Sequence, residues 1–235
     1  DTYPKMIQRA DAFRYLVLGA LGGVYADLDV EPFRNIDGLV EYDCFLGIEP
    51  LEHIFPDRHH QGVPFLLTNA FMGSVPGHRL WRQIIDEMPG LADQETFYST
   101  GPSMVTASVL RLPKADRPTL LSPLVWSPLL ADGRKTRTDA EAIKLLEPVG
   151  TVVPAVDGSL VSHVWMTTWV PWHKRGNRFA WILQLPTQAK WALRRLANPA
   201  LAQVVIPDPL DLYADQLLLP FDDHPLVEVV VRLGK

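Results

Sequence analysis

The sequence predicts an α/β domain over residues 1–170, followed by a basic, aromatic-rich appendage at 171–235. Three observations predict it. A helix-spaced apolar run from Met6 to Leu21 stops at Gly22-Gly23 and gives way to two-residue alternation through Val30. Two further apolar runs, at 45–48 and 65–73, have the length and composition of buried strands. The 235-residue chain is 47% hydrophobic and 21% charged, which supplies a sizeable core.

In the first helix, Met6, Ile7, Ala10, Phe13, Val17 and Leu21 recur at helical spacing and mark the expected apolar face. Asp11 and Arg14 are three apart and therefore neighbours on that helix. Gly22 and Gly23 end it, because glycine accepts the left-handed conformation of a helix exit. Val24, Ala26, Leu28 and Val30 then alternate with Tyr25, Asp27 and Asp29. A strand through Val30 would place Tyr25 and both carboxylates on one side. Pro32 ends that strand or puts it at an edge.

Residues 51–63 read as a polar loop with His53, His59 and His60, whose spacing is not that of a zinc site. Asn69 lies in the 65–73 strand. Leu80, Trp81, Ile84, Ile85 and Met88 follow as an amphipathic helix ending at Pro89-Gly90. Thr100-Gly101-Pro102-Ser103 introduces a helix at 103–111, capped by a serine or threonine, and 120–130 reads as an extended connection. A block at 161–169 holds His163, Trp165 and Trp169. Between Asp157 and Asp208 the chain has no acidic residue. There Lys174, Arg175, Arg178, Lys190, Arg194 and Arg195 are interleaved with Trp172, Phe179, Trp181 and Trp191. This segment is either a helix packed on the domain or, through 171–195, a peripheral contact with anionic lipid. One strand is expected at 227–231.

Two carboxylates on one side of a strand end repel unless a positive group sits between them. A hard divalent cation, especially one carrying phosphates, meets that need; solvation of both acids is the alternative. The pair follows an uncharged stretch from Tyr15 to Ala26, an unusual approach to solvated acids. The net charge of −5 gives no reason to expect a nucleic-acid partner. The single cysteine, Cys44, excludes an internal disulfide. Residues 1–9 are too polar for a signal peptide, and 15–26 is too short and glycine-rich to span a bilayer.

Asp11-x-x-Arg14 followed by Gly22-Gly23-x-Tyr25-x-Asp27-x-Asp29 resembles the core of glycosyltransferases with the DXD sugar-binding region, glycosyltransferase family 32. That family includes initiating α-1,6-mannosyltransferases and inositol-phosphorylceramide mannosyltransferases, and is related to the glucosylating clostridial toxins. Asn69, Thr100-Gly101-Pro102 and His163-x-Trp165-x-x-x-Trp169 extend the resemblance. It implies a GT-A, Rossmann-like fold, a Mn²⁺ or Mg²⁺ ion, and a nucleotide-sugar donor such as GDP-mannose or a UDP-hexose. It further implies a glycan or glycolipid acceptor and retention of anomeric configuration. A Golgi setting follows if the source is eukaryotic, and a cytoplasmic or membrane-peripheral one otherwise. Family members place a base-holding strand ahead of this helix, so the expectation is a domain lacking its N-terminal strand.

The expected roles follow. Asp29 ligates the metal directly, Asp27 through water or by holding donor hydroxyls, and His163 is a further ligand. Arg14 forks onto pyrophosphate and Asp11 takes sugar hydroxyls. Tyr25 packs on the nucleotide, Asn69 binds a sugar hydroxyl, and Trp165 and Trp169 cover the sugar or close over the pyrophosphate. Asp27, Asp29 and Arg14 are the expected catalytic residues. Two alternatives stand beside this one: a haloacid-dehalogenase-type phosphohydrolase, whose nucleophile also lies in an Asp-x-Asp, and a non-catalytic remnant.

Overall fold

The computed structural model describes residues 3–54, 64–131 and 133–165, and the backbone of 229–231. His59, His60, Trp169 and the basic segment 171–195 lie outside the described residues. Residues 1–165 together with 227–235 form one compact unit, and 166–226 a second.

In the first unit, helix α1 (Met6–Leu21) leads into β1 (Gly23–Ala26) and β2 (Val30–Pro32). Strands β3 (Cys44–Ile48) and β4 (Leu67–Ser74) follow. Next come α2 (Arg79–Glu87), a short α3 (Thr96–Ser99) and α4 (Pro102–Arg111). Then come β5 (Thr119–Leu121), α5 (Pro123–Trp126), α6 (Asp139–Leu146), β6 (Val152–Val153) and β7 (Val161–His163). Strand β8 (Val229–Val231) closes the order.

Six strands form one mixed sheet in the order β6-β5-β3-β4-β1-β8. Strands β1, β3, β5 and β6 run one way, because β4 is antiparallel to both β1 and β3 while β5 and β6 continue parallel to β3. Strand β8 runs antiparallel to β1 at the edge. Strands β2 and β7 form a separate antiparallel pair. This is a mixed α/β architecture of the GT-A, Rossmann-like kind that the resemblance implies.

The pleat sorts the core. Tyr25, Cys44, Leu46 and Ile48 face a large cluster with α1, α2 and α4. Val24, Phe45, Phe71 and Leu121 face a smaller one around Trp126 and Val161. Among the described residues no helix is long and apolar enough to cross a membrane.

Four expectations are corrected. The helix at 6–21 is present, but it is turned: Gln8, Asp11, Arg14, Tyr15 and Leu18 are buried, while Met6, Phe13 and Leu21 are more than half exposed. The polar groups go inward because the surrounding elements supply partners, as Ser99 does for Gln8 at 2.8 Å. The strand after Gly22-Gly23 stops at Ala26 instead of continuing to Val30. Helix α4 begins at Pro102 with Gly101 at its N-cap and no side-chain cap, because the Thr100 hydroxyl is used elsewhere. The extended connection at 120–130 also contains the single turn of α5.

Gly22 has φ +65°, and a Cβ there would lie 2.7 Å from the carbonyl of Ser74 and from Pro76. No other residue fits this helix exit without strain. Gly47 is closed in differently: a Cβ would lie 2.7 Å from Trp126 Nε1, which donates to the Ile48 carbonyl at 2.8 Å. Gly47→Ala is therefore expected to displace Trp126 and to destabilise the fold by about 1–3 kcal/mol. Urea denaturation against wild type measures it.

Candidate functional site

Asp27 follows directly on the carboxyl end of β1. The Asp27 amide donates to the Ala70 carbonyl at 2.8 Å, so this residue still lies against β4. A turn follows, closed by the Val30 amide on the Asp27 carbonyl at 2.9 Å. Asp29 sits in that turn. The two carboxylates thus come together by a reversal of the chain rather than by strand alternation.

His163 arrives from the far end of the unit. Pairing of β2 with β7 sets Val30 opposite His163, and the Val164 amide donates to the Asp29 carbonyl at 2.8 Å. The His163 Nε2 lies 3.1 Å from Asp29 Oδ1. One ligand atom from each of Asp27, Asp29 and His163 falls within 4.8 Å of the others.

Behind Asp27 is a buried polar layer. The Arg14 guanidinium bridges Asp27 Oδ1 at 2.9 Å and Asp11 Oδ1 at 3.1 Å, and also donates to the Asn69 carbonyl at 2.7 Å. It lies over the Tyr25 ring, 4.5 Å from its centroid. The Tyr25 hydroxyl donates to Asp27 Oδ1 at 2.6 Å. Asp11 is held by the Asn69 amide at 2.9 Å and the Thr100 hydroxyl at 2.8 Å. Asn69 also donates to the Tyr15 hydroxyl, which in turn donates to the Thr100 carbonyl at 2.6 Å. Burial first, then the Asp11 charge, raises the Tyr15 phenol well above its ordinary range, so it stays a neutral donor.

Asp11, Arg14, Tyr25 and Asn69 are all buried, and Tyr25 entirely so. They contact one another and Asp27, and Asp11 and Asn69 reach Thr100 and Tyr15 as well. Asp27, with 28% of its side chain exposed, is where this layer meets solvent.

The other wall is aromatic. The His163 ring stacks at 5.6 Å on Trp126 and meets Trp165 at 4.1 Å. The Trp165 indole N–H donates to the Leu129 carbonyl at 2.9 Å. Its backbone is left-handed, φ 57°, a conformation that costs a tryptophan about 1–3 kcal/mol and is held here by the ring contacts. His53 lies edge-on to Trp165 at 4.3 Å and 3.4 Å from Glu49 Oε2. Sequence reasoning passed over Glu49 and Trp126. Glu49 carried the signal that marked Asp27, an acid directly after an uncharged apolar strand.

Burial opposes charge on the His163 imidazole, but the hydrogen bond and charge of Asp29, with Asp27 and Glu49 beyond, outweigh it and raise its pKa above the ordinary value. In the metal-free protein this contact should therefore add stability below the ordinary imidazole value of 6.5 and lose it as pH rises through the raised value. Thermal melts of wild type and His163→Gln in EDTA across that window test this; the variant should lack the slope.

The residues present fit a divalent cation. The set is two hard carboxylate oxygens and one imidazole. Among the described residues His163 Nδ1 is buried without a hydrogen-bond partner, so the ring's only polar engagement is on the side of Asp29.

Residues 1–46 match the family model of the glycosyltransferase sugar-binding region containing the DXD motif. Residues 1–46 are thus similar to a DXD glycosyltransferase region. The chain is 32% identical over 125 residues to inositol phosphoceramide mannosyltransferase 3 of Schizosaccharomyces pombe, covering 49% of this chain and 32% of that protein. It is 34% identical over 115 residues to the initiation-specific alpha-1,6-mannosyltransferase of the same yeast, covering 43% and 28%. To mannosyl phosphorylinositol ceramide synthase SUR1 of Saccharomyces cerevisiae it is 37% identical over 78 residues, covering 33% and 17%. The chain thus spans about a third or less of the length of these relatives. The matches favour the transferase reading of the DXD chain over the phosphohydrolase one.

Proposed function

We propose that this chain is the catalytic part of a metal-dependent retaining glycosyltransferase. It moves a hexose (mannose, galactose or glucose) from a nucleotide-sugar, GDP-mannose or a UDP-hexose, to a glycan or glycolipid acceptor. The observation that carries this reading is the Asp27, Asp29 and His163 set at the carboxyl end of β1, where open α/β sheets bind ligands. The named mannosyltransferases make GDP-mannose the first donor to try.

Mn²⁺, or Mg²⁺, held by Asp29, Asp27 and His163, would neutralise charge on the departing nucleoside diphosphate. The chain's residues prepare that place. Arg14 and Tyr25 fix Asp27 in one rotamer. Trp126 and Trp165 keep the His163 ring in position and exclude water from it. Retention is met by attack on the leaving-group side, with a donor phosphate oxygen taking the acceptor proton. Trp165 would cover a sugar face.

The test is incubation with a panel of labelled nucleotide-sugars with and without Mn²⁺, following sugar transfer and donor hydrolysis, with product anomers assigned by NMR. Metal-dependent turnover of one donor supports the reading. Full turnover in EDTA, or release of phosphate from monoesters alone, would reject it. An inverted anomer would reject retention separately.

A further inference from the structure

Glu49 follows β3 at the same edge of the sheet as Asp27 follows β1, since the two strands run the same way. Alternation along β3 sends Phe45 and Gly47 to the Trp126 side and Leu46 and Ile48 to the other. Glu49 falls on the Trp126 side, that of the aromatic wall, and its charge reaches the His163 imidazole. Only 9% of its side chain is exposed; with the 21% of His53 beside it, this is the pair's opening to solvent.

A carboxylate so deeply placed has about four lone-pair sites to fill. Glu52, in the turn that follows, fills its own: it accepts from the Arg137 amide at 2.6 Å, the Thr138 amide at 3.1 Å and the Thr138 hydroxyl. Glu49 does not. Its side chain's one partner among the described residues is His53 Nδ1, 3.4 Å from Oε2. The imidazole is held from its other side. Its Nε2 takes the Ala131 amide at 3.4 Å, which leaves the ring proton on Nδ1, and the ring meets Trp165 edge-on at 4.3 Å.

A buried acid this short of donors lowers stability, so a ligand that supplies them would be strongly favoured. Phosphate brings no donor and repels the carboxylate; hydrocarbon brings none either. A nucleobase carries N–H groups, but it lies a ribose beyond the diphosphate, whereas Trp165 touches His163 at 4.1 Å. A hexose brings O–H donors together with an apolar C–H face that an indole can cover. We propose that Glu49, oriented by His53, accepts hydrogen bonds from hydroxyls of a hexose lying on Trp165. The proposal rests on the transferase reading above and assigns to that site the side chain that selects the sugar. The hexose is either the one transferred or that of the acceptor, and the test separates the two.

Glu49→Met, close in length and apolar, is the informative variant. Replacing an under-satisfied buried acid in this way is expected to raise the melting temperature of the unliganded protein by roughly 2–4 °C. A fall would make Glu49 a structural partner of His53 and overturn the proposal. The second readout is saturation-transfer NMR with Mg²⁺ on GDP-mannose, UDP-galactose, UDP-glucose and methyl α-mannoside. In the variant the hexose protons should lose most of their saturation while nucleoside protons keep theirs, and Kd should rise roughly tenfold or more. Glu49→Gln, which keeps an acceptor oxygen without the charge, should fall between. Loss with a nucleotide-sugar assigns Glu49 to the transferred hexose; loss with methyl α-mannoside assigns it to the acceptor. Equal hexose signals in wild type and Glu49→Met overturn the proposal, as does loss at the nucleoside protons alone. A wild type that contacts methyl α-mannoside through Glu49 but no nucleotide-sugar sinks the transferase reading and leaves the hydroxyl assignment standing. A wild type that contacts none of the four sinks both.

Discussion

Asp29→Asn is expected to abolish metal-dependent turnover while the fold survives. The amide keeps the shape of the carboxylate, and the Asp29 backbone carbonyl still takes the Val164 amide. What is lost is one anionic ligand of the Asp27, Asp29 and His163 set. A ligand that acts on charge developing in the transition state is worth about 3 kcal/mol, or roughly a hundredfold in rate. The measurement is initial rate against Mn²⁺ concentration for both proteins, with melting temperature as the check on fold. An unchanged metal response in the variant would remove Asp29 from the ligand set. Asp27→Asn should differ: it also weakens the acceptor of Arg14 and Tyr25, so melting temperature and rate should fall together.

Arg14 carries the largest expected effect on stability. It is 3% exposed and lies between two carboxylates, one of them, Asp11, just as buried. Arg14→Ala leaves Asp11 charged in the interior, which costs about 3–5 kcal/mol. Arg14→Lys keeps the charge, but a single ammonium cannot fork to Asp11 and Asp27 at once. That variant should fold, melt several degrees lower, and lose most transfer because Asp27 is no longer held. Adding Asp11→Asn to Arg14→Ala should restore part of the stability and none of the activity. If activity returned with stability, the arginine would be a packing residue only. Chemical denaturation and transfer assays on the four proteins separate the two roles.

The order of elements was legible from periodicity and from Gly22-Gly23, because both are local properties of the chain. The orientation of α1 was not. Met6, Phe13 and Leu21 form a helical stripe, yet they face out, since the inward face is decided by partners on distant segments. Asn69, Thr100 and Asp27 supply those partners, and none of them can be paired with Asp11 or Arg14 from one sequence. The two aspartates were legible as a pair, but the strand that was to carry them is a turn, because the tertiary pairing of Val30 with His163 draws the chain away from β4. Tyr25 alternates with Asp27 as expected, and its hydroxyl reaches back to the carboxylate instead of outward. His163 could be found as a pattern; its place beside Asp29, 134 residues away, depends on the pairing of β2 with β7.

That separation makes the ligand set a fastener. A cation held by Asp27, Asp29 and His163 would tie the segment at 27–30 to the one at 161–164 and close a loop running through most of the first unit. At a hundred times its dissociation constant, an ion that binds only the folded chain adds about 2.7 kcal/mol. Chelation is then expected to loosen the β2–β7 pair before the six-stranded sheet, and faster hydrogen exchange at the Val164 amide would report it. The 161–165 segment also carries Trp165, held against its backbone preference. Loosening that segment would therefore reach the aromatic wall that Trp165 forms with Trp126 and His163.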